Sequence, residues 1–457
     1  MVSHTMKMHR KALNELLKWK ENKPPRRKPL LLLGARQVGK TWLMREFGAQ
    51  AFEQVAYIRF DRNATMRRVF EEDGADIPLL LSHLQAEVGF RLEAGKTLLI
   101  LDEIQESPAA LTALKYFCED VPELHVVAAG SLLGVRQHEG TGFPVGKVNK
   151  QMLYPMSYTE FLRAVGKSTL AEMLEAGDWR GVAPFHDRLA ELLRLYYFVG
   201  GMPEAVTRYV QTGDFSLVRE VQQELLFTYE QDFSKHAPKN VAAKIAQIWD
   251  SVPTQLAKEN KRFLYGDVKK GWRAKDLEDA MDWLLRAGLI YHCHRITKPA
   301  LPVDSYRDGA FKVFFSDVGL LGAKAGVDAS VLIQGNRIFQ EFKGALAEQY
   351  VQQQLRAECG VSPCYWLSES SRTELDFLFQ CAMAVVPVEV KAELNVQAKS
   401  LKAYCAKYTP PVAVRTSMHP YYSQQLPLPD GNSTQLIDLP LYAVCRMAAE
   451  GAPAAGQ

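Results

Sequence analysis

Short apolar runs that end in polar residues recur through the first third of the chain. Residues 30–33 are all leucine, residues 97–101 read Thr-Leu-Leu-Ile-Leu, and residues 124–129 read Leu-His-Val-Val-Ala-Ala. Runs of this length are typical of parallel strands that are buried on both faces. Residues 55–61 alternate like a further strand, and residues 78–94 have helical spacing. Strands that alternate with helices predict a three-layer α/β domain whose ligand site lies at the carboxyl edge of a parallel sheet.

The pattern changes in the rest of the chain, where helices come first and strands return later. Residues 241–256 and residues 276–286 have apolar positions at helical spacing, and a strand follows the second of these segments. Helix, turn, helix and strand in so short a stretch resemble a winged helix. Residues 336–356 then predict a long amphipathic helix, and residues 373–379 and 385–391 predict two strands. These segments favour a second α/β region near the carboxyl end.

The composition is that of an ordinary globular protein, with 47% hydrophobic and 23% charged residues and a net charge of +3 over 457 residues. This length allows several domains. No apolar stretch approaches the roughly 20 residues of a membrane span. The N-terminus is mixed and basic, without the apolar core of an export signal. Seven cysteines are scattered without a C-x-x-C pair, which suits a reducing compartment. We therefore expect a cytoplasmic protein without a membrane partner.

The stretch after the first leucine run carries the clearest chemistry. Residues 34–41 read Gly-Ala-Arg-Gln-Val-Gly-Lys-Thr, which matches the P-loop pattern G-x-x-x-x-G-K-T in full. Glycines at both ends let the backbone curl so that its N–H groups point at a phosphate, and the following helix presents its positive end. The lysine can reach the β- and γ-phosphates, and the threonine hydroxyl can bind Mg²⁺. We expect ATP to contact Gly34, Arg36, Gln37, Val38, Gly39, Lys40, Thr41 and Trp42.

The ends of two later strands complete this predicted ATP site. Asp102 and Glu103 follow the second apolar run, and Ser131 ends the third. We expect Asp102 to hold Mg²⁺ opposite Thr41, and Glu103 to orient or deprotonate an attacking water as the catalytic base. If the third strand lies between the other two, Ser131 lies near the γ-phosphate and could sense it. A plain turn serine at the end of a strand explains Ser131 equally well.

Several motifs follow one another in a fixed order along the chain. They are Leu-Asp-Glu-Ile-Gln at 101–105, Ala-Gly-Ser-Leu-Leu at 129–133, Leu-Tyr-Pro-Met-Ser at 153–157 and Gly-Gly-Met-Pro-Glu-Ala at 200–205. Together with the P-loop, they resemble the prokaryotic AAA-type ATPases whose carboxyl half is a restriction-endonuclease-like, or PD-(D/E)XK, domain of unknown function. The resemblance covers nearly the entire chain.

This resemblance implies a division of the chain into four domains. They are a P-loop AAA+-like core at 1–156, a helical lid at 157–215, a winged-helix domain at 216–325 and a nuclease-like α/β domain at 326–457. Such ATPases commonly bind nucleotide at a subunit interface that a neighbour's arginine completes, so the resemblance also implies a homo-oligomer. Arg136 and Lys147 are the two candidates for that position, although a lysine lacks the bidentate fork of arginine.

A basic patch precedes the second helix of the predicted winged helix. It contains Lys269, Lys270, Arg273 and Lys275. A recognition helix that begins beside such a patch could contact DNA. The same fold often packs only against protein, and a basic run is often an ordinary solvated surface. DNA is therefore an expected partner, and a domain that packs only against protein is the alternative.

The carboxyl third carries a second group of charged residues. Glu389 and Lys391 share one face of an otherwise apolar strand, where charges are costly unless they act together. With Asp376 on the preceding strand they match the D…E-x-K pattern of restriction-type nucleases. In that reading Asp376 and Glu389 hold a divalent metal, Glu348 on the preceding helix assists the metal, and Lys391 positions the nucleophile. An ion pair on an edge strand beside an unrelated aspartate is the alternative.

Taken together, the residues predict a Mg-dependent ATPase with a carboxyl region that acts on DNA. In one reading, ATP hydrolysis controls a DNA-binding region that is also a nuclease. In the other, the chain is a regulatory ATP switch whose carboxyl domain binds DNA or another partner without cleavage. Lys40, Glu103, Asp376, Glu389 and Lys391 are the predicted catalytic residues.

Overall fold

The computed structural model describes residues 8–137, 143–259, 261–329, 340–368, 373–392 and 398–453. The chain divides into two compact units. The N-terminal unit contains Lys7–Tyr154 and Arg286–Leu289, and the C-terminal unit contains Pro155–Leu285 and Ile290–Gln457. The segment 157–215, predicted as a lid, belongs by its contacts to the C-terminal unit. The finer division into four domains stays a prediction.

The N-terminal unit is built on a parallel sheet of five strands in the order β2-β3-β4-β1-β5. The strands are β1 Leu30–Gly34, β2 Gln54–Arg59, β3 Thr97–Asp102, β4 His125–Ser131 and β5 Asn149–Met152. The α/β class and the parallel sheet are therefore as the sequence predicts. Strand β4 lies between β1 and β3, with Gly34 paired to Ser131. This register brings the carboxyl ends of β1 and β4 together.

Helices cover this sheet, and short polar residues begin three of them. The helices are α1 Lys11–Glu21, α2 Lys40–Ala51, α3 Ala64–Asp73, α4 Ile77–Val88, α5 Pro108–Asp120 and α6 Leu132–Gln137, with a 3-10 turn at Ile104–Glu106. The side chains of Asn63, Asp76 and Ser107 each accept a backbone N–H from the first turn that follows. Such caps satisfy donors that the helix itself cannot, which stabilises it by about 1 kcal/mol each.

The strand residues alternate between the two buried faces of the sheet. Leu31, Leu33, Leu99 and Leu101 face one core, where they meet apolar side chains of α3, α4 and α5 such as Phe70. Every residue of β1, β3 and β4 is buried. This explains why the sequence reads as unbroken apolar runs rather than as an alternation. A polar side chain at the carboxyl end of such a strand is held in place by a well-packed sheet.

The first part of the C-terminal unit is helical. Its helices are α7 Tyr158–Ala164, α8 Ser168–Ala176, α9 Trp179–Val182, α10 His186–Val199, α11 Pro203–Thr212, α12 Phe215–His236, α13 Lys239–Leu256, α14 Tyr265–Val268 and α15 Ala274–Ala287, with a 3-10 turn at Ala183–Phe185. The predicted helices over 241–256 and 276–286 correspond to α13 and α15. None of the helices described in the chain is long and apolar enough to cross a membrane.

The Gly-Gly-Met-Pro motif follows α10, and close packing explains its two glycines. Gly200 has φ 74°, and a Cβ there would lie 2.2 Å from an oxygen of the buried Asp317. A Cβ on Gly201 would lie 2.1 Å from the carbonyl oxygen of Met156. The N–H of Gly201 donates to Asp317 over 2.6 Å. Any larger side chain at either glycine would therefore collide with the segments that pack here, at Asp317 and at Met156.

A mixed sheet of eight strands forms the rest of the C-terminal unit, in the order β12-β13-β11-β10-β9-β8-β6-β7. The strands are β6 Ile290–Ile296, β7 Arg307–Phe315, β8 Cys364–Leu367, β9 Glu374–Cys381, β10 Ala384–Val390, β11 Val412–Ser417, β12 Tyr422–Pro427 and β13 Ser433–Pro440. The remaining elements are α16 Val318–Lys324, α17 Gln340–Ala357, α18 Lys399–Tyr408 and α19 Met447–Glu450, with 3-10 turns at Val303–Tyr306 and Leu441–Arg446.

Strands β6 and β7 form an antiparallel hairpin, as a wing would, and β6 also pairs with β8. One sheet therefore crosses the predicted boundary at residue 325. The later part follows the order helix, three antiparallel strands, helix and parallel strand, from α17 through β11. The predicted strands over 373–379 and 385–391 correspond to β9 and β10.

Helix α17 differs from a simple amphipathic helix. Residues 336–339 of the predicted helix lie outside the described residues. In the described part, Gln349, Gln353 and Gln354 are buried. Gln349 accepts from the N–H of Phe315 and donates to its carbonyl, and Gln354 accepts from the N–H of Tyr158. Buried amides are stable here because they satisfy backbone groups where other elements begin or end.

Candidate functional site

The P-loop of the N-terminal unit runs from the end of β1 to the start of α2. Gly39 immediately precedes α2 and has φ 94°, and Gln37 has φ 65°. A Cβ on Gly34 would lie 2.4 Å from the carbonyl oxygen of Leu153. The glycines at the two ends are therefore required by packing and by a left-handed backbone. This tight loop brings its own backbone N–H groups to the start of α2, where an anion is stabilised.

Individual residues of the loop lie in different surroundings. Val38 is buried, Gln37 is exposed, and Arg36 and Trp42 are partly buried. The buried Arg10 donates to the carbonyl of Val38 over 2.9 Å and to that of Tyr154 over 2.6 Å. Sequence reasoning missed Arg10, which lies just before α1 and carries no motif. Its guanidinium holds the loop from the side of the protein interior.

Lys40 is turned onto the carbonyls of its own loop. Its ammonium donates to the oxygen of Gly34 over 3.0 Å and to that of Ala35 over 2.8 Å. Burial lowers the pKa of Lys40 to about 8, while the charges of Glu103 and Asp102 act in the opposite direction. A cation in this position gains from any added anion. The arrangement is therefore suited to a phosphate.

Asp102 lies at the end of β3 and is 2% exposed. Its Oδ2 accepts hydrogen bonds from the hydroxyl of Thr41 over 2.8 Å and from the hydroxyl of Tyr57 over 2.7 Å. Thr41 and Asp102 are thus brought together as predicted. Their hard oxygen atoms, on adjoining element ends, are ligands of the kind Mg²⁺ prefers, so these residues fit that ion.

Tyr57 was not predicted as a site residue. It lies on β2, and the guanidinium of Arg45 lies 4.3 Å from the centre of its ring. Burial, and next the hydrogen bond to Asp102, raise the pKa of Tyr57 to about 12. The tyrosine therefore stays a hydrogen-bond donor to Asp102. The polar positions of the alternating strand over 55–61 were the signal that could have identified it.

Glu103 and Ser131 occupy the ends of neighbouring strands. Glu103 has φ 54° and ψ 44°, a left-handed conformation, and its carboxylate accepts from the amide of Gln105 over 2.6 Å. Ser131 is 8% exposed, and its Oγ accepts from the N–H of Gly134 over 3.1 Å. Its backbone N–H donates to the side-chain oxygen of Gln105 over 3.3 Å. Gln105 was also missed, although it is the last residue of the Leu-Asp-Glu-Ile-Gln motif.

The two candidates for the arginine position lie in different parts of the N-terminal unit. Lys147 forms an ion pair with Glu119 over 2.8 Å. Arg136 lies on α6, Leu132–Gln137. The identity of the residue that completes a neighbouring site stays a prediction.

In the C-terminal unit, the predicted nuclease-like residues are close together. Val388 pairs with Phe377, so Asp376 and Glu389 come next on the two antiparallel strands. Oδ2 of Asp376 accepts from the N–H of Val390 over 2.7 Å, and Lys391 forms an ion pair with Glu389 over 2.7 Å.

Two further lysines join these carboxylates. Lys261 forms an ion pair with Glu348 on α17. The fully buried Lys312, on β7, lies 3.5 Å from the other oxygen of Glu348 and 2.6 Å from Glu374. We call this group the carboxylate–lysine cluster; its members are Lys261, Lys312, Lys391, Glu348, Glu374, Asp376 and Glu389. Sequence reasoning missed Lys312, although a lysine within the apolar run of β7 is the same signal that identified Glu389.

The cluster does not fit a metal ion in this arrangement. Oε2 of Glu348 and Oε2 of Glu389 are buried and accept no hydrogen bond within the described chain. Ammonium groups nevertheless lie against both carboxylates, where a metal would compete with them. Across the ranges that the structure describes, no group of three or more His, Cys, Asp and Glu side chains could hold a metal. The geometry is that of an ion-pair cluster.

The charges within the cluster depend on one another. Burial, and then the nearby Glu348 and Glu389, raise the pKa of Asp376 to about 8. Burial alone would lower the pKa of Lys312, but Glu348, Glu374 and Asp376 reverse this and raise it. The cluster is therefore held together by mutual compensation of buried charges.

Comparison with protein families divides the chain into three matched segments. Residues 26–162 match the model of a family described as AAA domain. Residues 190–331 match a domain of unknown function, DUF8612, and residues 343–442 match another, DUF4143. No curated protein matches the chain. The prediction of an AAA-type ATPase-like domain with a P-loop is confirmed, while the winged-helix and PD-(D/E)XK assignments stay predictions.

Solved structures of similar shape are distant from this chain. The Walker-type ATPase PABY2304 of Pyrococcus abyssi is 16% identical, with 70% of this chain and 96% of that chain covered and a TM-score of 0.44. For Cdc6p of Pyrobaculum aerophilum the identity is 14%, the coverages are 71% and 93%, and the TM-score is 0.25. The RuvB Holliday junction branch migration motor of Thermotoga maritima is 16% identical, with coverages of 67% and 92% and a TM-score of 0.27. Scores this low carry no argument about function.

Proposed function

We propose that the N-terminal unit binds ATP together with Mg²⁺ and hydrolyses it. The observation that carries this proposal is the hydrogen bond of 2.8 Å between Thr41 and Asp102. It joins the P-loop to the acidic end of β3, with Lys40 directly beside Thr41. Phosphate-binding and acidic groups at adjoining strand ends are the arrangement that ATP hydrolysis requires.

Each residue of the site has a role in this proposal. Lys40 and the N–H groups of residues 36–41 bind the phosphates, and Thr41 and Asp102 hold the ion. When bound, Mg²⁺ neutralises charge on the phosphate oxygens. Glu103 accepts the proton of the attacking water, which makes it the base. Ser131, at the end of the neighbouring strand, donates to the γ-phosphate and so reports its presence.

Two variants test this proposal by separating binding from hydrolysis. Glu103→Gln keeps the size of the side chain but removes the base, so it should bind ATP and hydrolyse it at least 100-fold more slowly. Lys40→Ala should lose binding itself. Binding would be measured with a fluorescent ATP analogue and hydrolysis by phosphate release. Hydrolysis by Glu103→Gln at the wild-type rate would contradict the role of Glu103, and no hydrolysis by the wild-type chain would contradict the proposal as a whole.

For the C-terminal unit, we propose DNA binding without cleavage. Lys269, Lys270, Arg273 and Lys275 are all exposed, at and just before the start of α15. Exposed cations contact phosphates without the cost of breaking internal ion pairs. The lysines of the carboxylate–lysine cluster favour binding over cleavage, because they already compensate the carboxylates that a nuclease would use for its metal.

The test of this second proposal uses two readouts on the full chain. Removing Lys269, Lys270 and Lys275 by substitution with alanine should weaken DNA binding and flatten its salt dependence. A matched variant without Lys96, Lys115 and Lys150, three exposed lysines of the N-terminal unit, should not. Supercoiled and linear DNA incubated with Mg²⁺ or Mn²⁺ should stay intact. Nicking by the wild-type chain that Lys391→Ala abolishes would instead support the nuclease.

We further propose that the nucleotide state of the N-terminal unit controls DNA binding by the C-terminal unit, and that the chain acts as a homo-oligomer. Sequence resemblance supports the oligomer, through the arginine that a neighbouring subunit would supply. Mass measurement with and without ATP tests the oligomer. DNA binding measured with ATP, ADP and no nucleotide tests the control, because a linked equilibrium must respond to the nucleotide.

A further inference from the structure

A single glutamine joins the ends of two central strands in the N-terminal unit. Gln105 lies on the 3-10 turn Ile104–Glu106 that follows β3. Its Nε2 donates to Oε2 of Glu103 over 2.6 Å, and its Oε1 accepts from the backbone N–H of Ser131 over 3.3 Å. One side-chain amide therefore contacts the residue proposed as the base and the residue proposed as the γ-phosphate sensor.

The sequence around Ser131 leaves room for this amide. A Cβ on Gly130 would lie 2.8 Å from Oε1 of Gln105, and a Cβ on Gly134 would lie 2.5 Å from its Cγ. Distances below 3.0 Å do not occur for real Cβ atoms, so any other residue at these positions would displace Gln105. Gly134 also donates its N–H to Oγ of Ser131 over 3.1 Å. The two glycines of the segment thus shape a slot for the side chain of Gln105.

The backbone of Glu103 supports the same interpretation. Its φ of 54° lies in the left-handed region, which is strained for a residue with a side chain. Backbone strain of this kind persists only where surrounding contacts hold it, and it is common at active sites. Asp102 accepts from the N–H of Glu103 over 3.0 Å, so the peptide is held from one side and the carboxylate from the other.

We propose that Gln105 is a positioning residue for ATP hydrolysis, which ties the carboxylate of Glu103 to the end of β4. A primary amide is suited to this task because it carries a donor and an acceptor in one group. The donor holds the carboxylate where it meets the attacking water. The acceptor makes that position depend on Ser131, so that the base and the sensor move together. This inference rests on the proposed ATPase function.

Gln105→Leu and Gln105→Glu test the inference. Leucine removes both hydrogen bonds, and glutamate places a second carboxylate against Glu103. Both variants should bind the fluorescent ATP analogue within about twofold of wild type. Their single-turnover hydrolysis rate should fall by about 100-fold, because a misplaced reacting group costs this much. A loss confined to the rate, with binding kept, is what positioning predicts and what general destabilisation does not.

The matched control is Gln50→Leu. Gln50 also donates its amide to a glutamate, Glu46, over 2.5 Å, but on an exposed surface of α2. The Gln50→Leu variant should leave both the binding of the ATP analogue and the rate of hydrolysis unchanged. Hydrolysis by Gln105→Leu within about twofold of wild type would overturn the inference, and so would an equal loss of binding and rate. A wild-type chain that does not hydrolyse ATP would overturn the proposed function itself, which is a separate result.

Discussion

Lys40 and Lys312 both lie near carboxylates, one in each unit of the chain, and Lys40 is partly buried whereas Lys312 is fully buried. The ammonium of Lys40 donates to two neutral carbonyls, those of Gly34 and Ala35. The ammonium of Lys312 lies against Glu348 and Glu374. The pKa values move in opposite directions, since burial lowers that of Lys40, whereas carboxylates outweigh burial and raise that of Lys312.

This difference separates the proposed phosphate site from a cluster whose charges already compensate one another. A lysine with carbonyl partners keeps its charge available, so an incoming phosphate gains the full electrostatic interaction. The charge of a lysine between carboxylates is already compensated within the fold, so an added anion would gain less from it. The P-loop motif identifies one site in the sequence and charged residues in an apolar strand identify the other, but only the partners in three dimensions show which lysine is compensated by carboxylates.

The largest expected effect concerns stability. Lys312→Met removes the cation that lies beside the buried Glu348 and the partly buried Glu374, so it should lower the free energy of unfolding of the C-terminal unit by about 3–5 kcal/mol. Lys40→Met, the matched variant, removes hydrogen bonds to neutral carbonyls and should cost about 1 kcal/mol. Calorimetric melting of the full chain measures both. Equal shifts for the two variants would mean that the contrast between the lysines is not one of charge compensation.

The P-loop site and the cluster also differ in how far the sequence predicts them. The loop, Asp102, Glu103 and Ser131 could be placed because one local motif and three strand ends define them, and parallel strands must meet at one edge. Tyr57 and Gln105 were not predicted as site residues, because their hydrogen bonds reach a neighbouring strand and the order of the strands is not given by the motif. In the cluster, Glu389 and Lys391 follow from strand alternation, and Asp376 follows from the resemblance to the D…E-x-K pattern of restriction-type nucleases. Lys261 and Lys312 lie on segments that are far from Glu348 in the sequence. Their contact with Glu348 could therefore not be predicted from the spacing of residues along the chain.

The next effect is a pH dependence of ATP affinity that Lys40 should impose on the P-loop site. Because the pKa of Lys40 is about 8, the free protein loses this charge as the pH rises above 8. ATP binding must then take up a proton, so affinity should fall by up to about tenfold per pH unit above 8. The ion pairs of Lys312, whose pKa is raised, are fully present below the ordinary lysine pKa and are lost only above it.

Titrating the fluorescent ATP analogue between pH 7 and 9.5 measures this effect. Lys40→Arg supplies the control, because arginine stays charged throughout this range. Its affinity should be weaker than that of wild type, since the geometry differs, but should not change with pH. A wild-type affinity that does not change with pH would contradict the lowered pKa of Lys40.

The smallest expected effect tests whether a carboxylate in the P-loop site is held by neutral donors, as Lys40 is held by neutral acceptors. Tyr57→Phe removes the hydroxyl that donates to Asp102 over 2.7 Å and leaves Thr41 as the remaining hydroxyl partner of Oδ2. A hydrogen bond to a charged group contributes about 1.5–3 kcal/mol, and water can replace part of it at this partly open position, so we expect a loss of about 1 kcal/mol. This corresponds to a roughly fivefold weaker affinity for ATP in the presence of Mg²⁺.

Without Mg²⁺ the affinity should change less, because the substitution acts through Asp102. Tyr116→Phe, in a ring that packs against the core formed by the sheet with α3, α4 and α5, is the control and should leave both affinities unchanged. Equal weakening with and without Mg²⁺ would show that Tyr57 supports the loop rather than orienting Asp102.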